Sequence, residues 1–499
     1  EQPEVSVEVV PLRSYPLAEA AAHSLGHVGE ITDRQLEQEA FEGIEAGTVV
    51  GQSGIELEYN RQLMGRDGVR RIVVNSRGVE VAEAERLAPV DGPPAQLSLD
   101  LELQQAFEEA MAGEAGSVVA LEPETGEVLA YLSNPAYDPN AFSLGIEPEL
   151  WAHLNKDPEK PLINRPIQGT YPPGSTFKIL NALAALQEGV ITPQTRFSCP
   201  GYLAVYGTIF RCHKVEGHGH VDLRQAIALS CNVYFYNVGI RLEIERLSRY
   251  AKMMGFAAPT GIDLPHEVSG IFQDPEWKQR ALKTRWYPSE TVSVSIGQAM
   301  SVTPAQMARV AAIVANGGRL VRPHFMKKIG GEAVNTEPPK DLGFRPAVIN
   351  TVRDAMLSVV AQGTGQRAKL QGVAVGGKTG SAQVVTSARL AADKKAKKNQ
   401  PHGWFIFFAP ATGGKPAVAG AVLVEHGVQG GQSAAPVVGK ALSRYYGVRA
   451  IGPGMTPPDD VIPDPPQPET MRAVYVPATP PPPAATPPAP SPSPTPPSP

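Results

Sequence analysis

Cysteine is scarce in this sequence, with three residues in 499. That excludes a small fold stapled by several disulfides. Long apolar runs are missing as well. None approaches the ~18 residues that a membrane-spanning helix needs. The opening residues, EQPEVSVEVV, carry neither an initiator Met nor the charged-then-apolar pattern of a secretory leader. The expectation is a processed chain, with any membrane anchor lying before Glu1. Excess positive charge is absent: 45 Lys and Arg stand against 50 Asp and Glu, a formal net charge of −5. A nucleic-acid binder would need a basic field that this chain lacks. What is present is a hydrophobic fraction of 42%, enough for a globular core, in a chain long enough for roughly two to four domains.

Residues 1–90 read as a small support domain. They are polar, with short strand-like runs such as VSVEVV and RRIVV, and no catalytic spacing. Residues 91–450 read as the main domain. An amphipathic helix begins near Asp100, and GSVVALEPETGEVLAYLSNP (116–135) gives two strands around a Thr125-Gly126 turn. Helical patterns fill about 175–320. Strands return in VAVGGKTGSAQVV (373–385), HGWFIFFAP (402–410) and AVAGAVLVEHG (417–427), the last two separated by a Thr-Gly-Gly-Lys-Pro turn. Two strands, a helical middle and three more strands predict an α+β fold, with an antiparallel sheet of about five strands closed by early and late segments. Residues 451–499 are Pro-rich and predicted to be an extended or disordered tail.

The stretch YPPGSTFKIL (171–180) holds the first chemical signal. Pro172 and Pro173 can precede or open a helix but not continue one. Gly174 permits close backbone approach. ILNALAALQEG then reads as a helix ending near Gly189. Ser175 falls in the first turn, with Lys178 one turn later on the same face. A serine hydroxyl needs a neighbour to take its proton, and a lysine can do so if burial or a second cation lowers its pKa. Taken alone, the pattern also fits a helix cap beside a solvated lysine. Two further motifs weigh against that. Ser230-Cys231-Asn232 follows a helical run, and Lys378-Thr379-Gly380 lies on the first late strand. S-x-x-K, S-x-N and K-T-G in this order form the set described for serine β-lactamases and penicillin-binding proteins.

Each residue type then has a task. Ser175 attacks a carbonyl and Lys178 accepts its proton. Ser230 relays that proton to a leaving amine. Asn232 steadies Lys178 and meets the substrate amide. Lys378 supplies a cation for a substrate carboxylate and lowers the pKa of Lys178 by repulsion. Thr379 offers a hydroxyl to the same carboxylate. Gly380 lets the strand come close. The backbone N–H groups of Ser175 and Ser381 are candidate oxyanion donors.

With YPPGSTFK, SCNVYFY, SIGQAMSVTPAQMA (295–308), GTG (363–365), GKTGSAQ, HGWF, SLDLELQ and NPAYDPNAF, the sequence resembles the class B penicillin-binding proteins, the D,D-transpeptidases that cross-link peptidoglycan. RSYPLAEAAAHSLGHVGEI (13–31) and GQSGIELEYN extend the resemblance over most of 10–447, and GHGHVDL resembles the elongation-type branch, penicillin-binding protein 2. Ser381 stands where Thr is common and Gly403 where Ala is common. The resemblance implies peptidoglycan stem peptides as substrates, β-lactams as inhibitors, and no organic cofactor. It also implies a membrane glycan polymerase of the elongation complex as partner, and a place on the extracytoplasmic face of the cell membrane, anchored before Glu1. A D,D-carboxypeptidase side activity would accompany it. Two other readings compete. A β-lactamase would need a second base for deacylation, and none is identifiable. A β-lactam receptor or envelope scaffold would be acylated without turnover.

The three cysteines cluster within 199–231, among His213, His218 and His220. Cys199, Cys212, His218 and Cys231 supply a Cys3His set for a structural zinc ion, and some members of the resembled branch carry a metal at matching positions. His220 competes as the fourth ligand, and a Cys199–Cys212 disulfide competes with the metal. Cys231 lies between Ser230 and Asn232, so a metal there would brace the catalytic loop. Three smaller features take structural readings. The lysine run in LAADKKAKKNQPH (390–402) reads as a solvated loop, His402 as structural, and Trp404 and Phe405 as sheet core.

Overall fold

Five segments with wholly buried or nearly wholly buried side chains form the central sheet: β1 Gly116–Leu121, β2 Val128–Asn134, β3 Gly376–Ala382, β4 His402–Ala409 and β5 Val418–Val424. The computed structural model describes residues 12–383, 399–410 and 417–455. The sheet order is β3-β4-β5-β1-β2, antiparallel throughout. The early hairpin thus joins the late strands through β5 and β1, where Val119 pairs with Ala421. This is the α+β sheet expected from the order of strand signals. The turn between β4 and β5, the lysine run and the Pro-rich tail lie outside the described residues.

A strand's side chains alternate between faces, and β4 uses both. Phe405 and Phe407 enter one core with Val118, Ala120 and Val422. Trp404, Ile406 and Phe408 enter the other with Val119, Leu121 and Ala421. Burying such side chains contributes about 1.5–3 kcal/mol each, so both faces must be covered. Helix α1 (Leu101–Ala110), capped by Asp100 at the Leu103 N–H, covers the first face through Leu103 and Phe107. On the other face lie α2 (Lys178–Gln187), α3 (Leu223–Ala228), α4 (Asn232–Met253), α5 (Pro304–Ala315) and α6 (Pro346–Gln362). Helix α7 (Ala434–Tyr445) returns to pack beside α1 through Val438 and Leu442. Every residue of α2 from Lys178 to Leu186 is buried. A helix buried on all sides runs through the middle of a core, so its one lysine is carried inside with it.

The amino-terminal part is held to this body by several ties. Ile55 enters the large core cluster. The Tyr59 hydroxyl donates to Asp263 Oδ2 (2.9 Å), and the strand Ala95–Leu97 pairs with Met326–Ile329. The ribbon Val69–Val74/Glu80–Leu87 is almost wholly exposed. Among the described residues no helix is long and apolar enough to cross a membrane.

Candidate active site

The site begins with a turn that the sequence can barely close. Ser175 lies in a single 3-10 turn, Gly174–Phe177, that runs directly into α2 at Lys178. The turn is pinned from two sides. Trp404 Nε1 on β4 donates to the Pro172 carbonyl (3.0 Å), and the Gly174 N–H donates to Gly297 O (3.1 Å). Gly174 has φ +53°, and a Cβ there would stand 2.5 Å from Ser381 O and 3.4 Å from Ser381 N. A Cβ on Gly380 would stand 2.8 Å from Pro173 O. The turn and β3 are therefore in backbone contact, which puts the N–H groups of Ser175 and Ser381 at one junction. The Ser175 hydroxyl, only partly buried, has no protein hydrogen-bond partner among the described residues.

Ser230 follows α3 in the left-handed region, φ +55°. A serine held there costs about 1–3 kcal/mol unless its surroundings fix it. The Cys231 N–H donates to Ala226 O (2.9 Å), and Asn232 opens α4. This strained corner meets both lysines. Lys178 Nζ donates to Ser230 O (2.8 Å) and Asn232 Oδ1 (2.7 Å), and lies 3.3 Å from Ser230 Oγ. Lys378 Nζ donates to Ser230 Oγ (2.9 Å) and Thr379 O (2.9 Å). One serine hydroxyl thus bridges two fully buried amines. Four of the six residues predicted as catalytic (Lys178, Ser230, Asn232 and Lys378) share one hydrogen-bonded cluster, and Ser175 and Ser381 flank it on the turn and on β3.

Burial disfavours a charged amine. It pulls Lys178 down to about 8, while the nearby sulfurs of Cys231 and Cys212 act the other way. Lys378 is pulled well below the usual lysine range by burial first and by repulsion from Lys178 second. Burial is thus the larger cause at both amines, and the mutual repulsion of the two ammonium groups adds to it. Lys378 has no exposed surface, and its amine meets the Ser230 hydroxyl and the Thr379 backbone carbonyl. The Thr379 hydroxyl is 2.6 Å from that of Thr364.

Thr364 was legible only as part of a GTG motif, without a role. A second network escaped the sequence altogether. Glu425 Oε1 accepts from the Tyr171 hydroxyl (2.6 Å) and from Arg165 Nε (3.1 Å). It ties the start of the Ser175 loop to the end of β5, and no local motif joins residues some 250 positions apart. His402 is buried, its Nδ1 accepts from the His426 N–H (3.0 Å), and burial pulls its pKa down to about 4, a structural histidine as read.

Behind Ser230 lie the cysteines. Antiparallel pairing of Phe197–Cys199 with Gly219–Val221 places His218 beside Cys199, whose carbonyl accepts from the His218 N–H (3.0 Å). The Cys212 N–H donates to Gly201 O (2.8 Å). The result gathers ligand atoms of Cys199, Cys212, His218 and Cys231 within 4.8 Å of one another, with His218 Nδ1 3.6 Å from Cys199 Sγ and 3.5 Å from Cys212 Sγ. A tetrahedral zinc with Zn–S of 2.3 Å would set its sulfurs about 3.8 Å apart, so this donor set fits the ion. His220 is exposed and outside the set. The three thiols are free in the structure, with no disulfide between them. Hydrogen bonding between the two sulfurs holds the Cys212 thiol down and pushes Cys231 up.

Gly174 gives a direct test of the turn geometry. Gly174→Ala would need a left-handed alanine with its methyl against the Ser381 carbonyl. A displacement of about 1 Å at the turn is expected to lower β-lactam acylation about 10²-fold, measured as the second-order labelling rate. Acylation within threefold of the parent would show that the contact is not required.

Two family models match this chain. The penicillin binding protein transpeptidase domain covers residues 116–443, and the penicillin-binding protein dimerisation domain covers 1–97. The peptidoglycan D,D-transpeptidase MrdA of Acinetobacter baumannii is 37% identical over 444 residues, which is 87% of this chain and 66% of that protein. The chain thus spans about two thirds of that relative's length. The crystal structure of Pseudomonas aeruginosa PBP2 in complex with WCK 5153 superposes with a TM-score of 0.75 at 37% identity, covering 87% of this chain and 90% of that one. A structure described as the structural coordination of polymerization and crosslinking by a peptidoglycan synthase complex gives 0.76 at 33% identity, covering 87% and 76%.

Proposed function

Because the chain belongs to the family of penicillin-binding protein transpeptidases, we propose that it cross-links peptidoglycan stem peptides during cell elongation, as a serine-type D-Ala-D-Ala transpeptidase inhibited by β-lactams. The observation that carries this reading is the Ser230 hydroxyl held between the amines of Lys178 and Lys378. Two short bonds from Lys178, to Ser230 O and Asn232 Oδ1, occupy both hydrogens of its neutral form. The nitrogen lone pair is then left for a serine hydroxyl.

Ser175 Oγ attacks the penultimate D-Ala carbonyl as Lys178 takes its proton. The N–H groups of Ser175 and Ser381 hold the oxyanion. The proton passes through Ser230 to the departing D-Ala nitrogen. The terminal carboxylate of the donor rests on the Thr379 hydroxyl, with Lys378 acting on it through the hydroxyls rather than by contact. An amine of a neighbouring stem then displaces Ser175. Water in its place gives the carboxypeptidase side reaction.

Cys199, Cys212, His218 and Cys231 would hold a zinc ion, whose chemistry is structural, fixing the chain on both sides of Ser230. A glycan polymerase of the elongation complex is the partner, a reading supported by the synthase-complex relative. The setting is the extracytoplasmic face of the cell membrane. Fluorescent penicillin, followed over time, tests the reading with a cross-linking assay on lipid-linked polymer. Persistent label and cross-linked product are expected. Label lost within seconds would make the protein a β-lactamase, and persistent label without cross-linking a receptor.

A further inference from the structure

Next to the Ser230 corner lies a cavity of about 670 Å³. One wall is the loop between Cys212 and His218, with Lys214 and Glu216. The opposite wall is the end of α6 and the segment after it, with Gln362, Thr364 and Gln366. Leu229, 38% exposed although its neighbour Ser230 is buried, completes the lining. The cavity meets the catalytic cleft twice, at Leu229 beside Ser230 and at Thr364, whose hydroxyl bonds that of Thr379. The side chains of Lys214 and Glu216 are exposed and have no ion-pair or hydrogen-bond partner among the described residues. Its volume is within the range of about 300–1,000 Å³ that holds a small ligand.

Resting on the transpeptidase reading, the direction of the chemistry picks the occupant. Transpeptidation exchanges one amine for another at the same carbonyl carbon, so the entering amine approaches where the leaving one departed. The donor carboxylate, on the leaving D-Ala, sits at Thr379. The D-Ala position at Thr379 is therefore one hydrogen bond away from Thr364 in the lining of this cavity. We propose that the cavity is the acceptor subsite, receiving the amine-bearing stem peptide that resolves the acyl-enzyme. Glu216 attracts the peptide's ammonium group, Lys214 one of its carboxylates, and the amides of Gln362 and Gln366 its backbone. After the ammonium has lost one proton to water, the amine nitrogen bonds to the acyl carbon and the bond from that carbon to Ser175 Oγ breaks. The second amine proton passes through Ser230 and Lys178 to Ser175 Oγ, which restores the free enzyme. One wall belongs to the cysteine loop, so the order of that loop sets acceptor use as well as acylation.

The experiment acylates the full chain with a thioester substrate and adds soluble stem tripeptides whose third residue is lysine or diaminopimelate. The ratio of aminolysis to hydrolysis is then read. Glu216→Lys is expected to lower this ratio at least tenfold, and Glu216→Gln by a smaller factor, with β-lactam acylation within twofold of the parent as the check on folding. An unchanged ratio in both variants would overturn the subsite. So would acylation and aminolysis falling together, which would mark Glu216 as structural. A parent chain that formed no acyl-enzyme would sink the transpeptidase reading itself, and the subsite with it.

Discussion

Lys178→Met is expected to lower β-lactam acylation by about 10²–10⁴-fold, the usual contribution of a positioned general base, with a lower melting temperature because Ser230 O and Asn232 Oδ1 lose their donor. Methionine nearly fills the lysine's volume and removes a buried amine, so the core gains no cavity. What disappears is the only side chain of buried α2 able to accept the Ser175 proton at this corner. Lys178→Arg should not rescue the rate, because a guanidinium stays protonated throughout the working range. The pH profile carries the sign. The neutral amine is the active form, and burial lowers its pKa from 10.5 to about 8. At pH 7 about a tenth of the chains then hold a neutral Lys178, some 300 times more than an ordinary lysine would give. Acylation should rise with pH through about 8 and level off above it. A profile flat from pH 6 to 9, or a Lys178→Met chain within tenfold of the parent, would remove Lys178 from the base role.

The local part of this site was open to sequence reading. Ser175 and Lys178 sit one helical turn apart, and that spacing is fixed by the helix itself. The order of strand and helix signals likewise implied that early and late segments share a sheet, because unpaired strands cannot keep their backbone polar groups buried. Other features depend on contacts made only after folding. Nothing in Ser-Cys-Asn announces that Ser230 takes a left-handed conformation or that its hydroxyl lies between two amines. Lys378 appears in the sequence as a cation for substrate, yet the covering of β3 leaves it no exposed surface. Its amine meets the Ser230 hydroxyl instead. Tyr171, Arg165 and Glu425 meet only because β5 ends beside the Ser175 loop, and Thr364 gains its place from the Thr379 hydroxyl across from it. Residue type and local spacing revealed the chemistry, while long-range packing decided which charge is lowered and by what.

Metal removal should produce the second large effect. The strands around the cysteines are three or four residues long, and Tyr202, Tyr206, Ile209 and Val215 are exposed there. Phe197, Leu203, Val205 and Phe210 do pack on the core, but such short strands hold a loop weakly by themselves. Three thiols and an imidazole within 4.8 Å would instead be held by the ion, whose binding free energy in small zinc sites is about 10–16 kcal/mol and is released as folding. The loop is also tied to the catalytic corner. The Tyr236 hydroxyl donates to Arg211 O (3.0 Å), one residue before Cys212, and Cys231 separates Ser230 from Asn232. Removal of such an ion would relax the surroundings that hold Ser230 at positive φ, and both acceptors of Lys178 on that loop would move with them. Purified protein is expected to carry one zinc per chain. Cys199→Ser and Cys231→Ser should each lose it, melt at a lower temperature and acylate about 10²-fold more slowly, and His220→Ala should do none of these. Elemental analysis and intact mass decide the matter: metal-free protein two hydrogens lighter than its reduced form, with full acylation, would replace the ion with a disulfide.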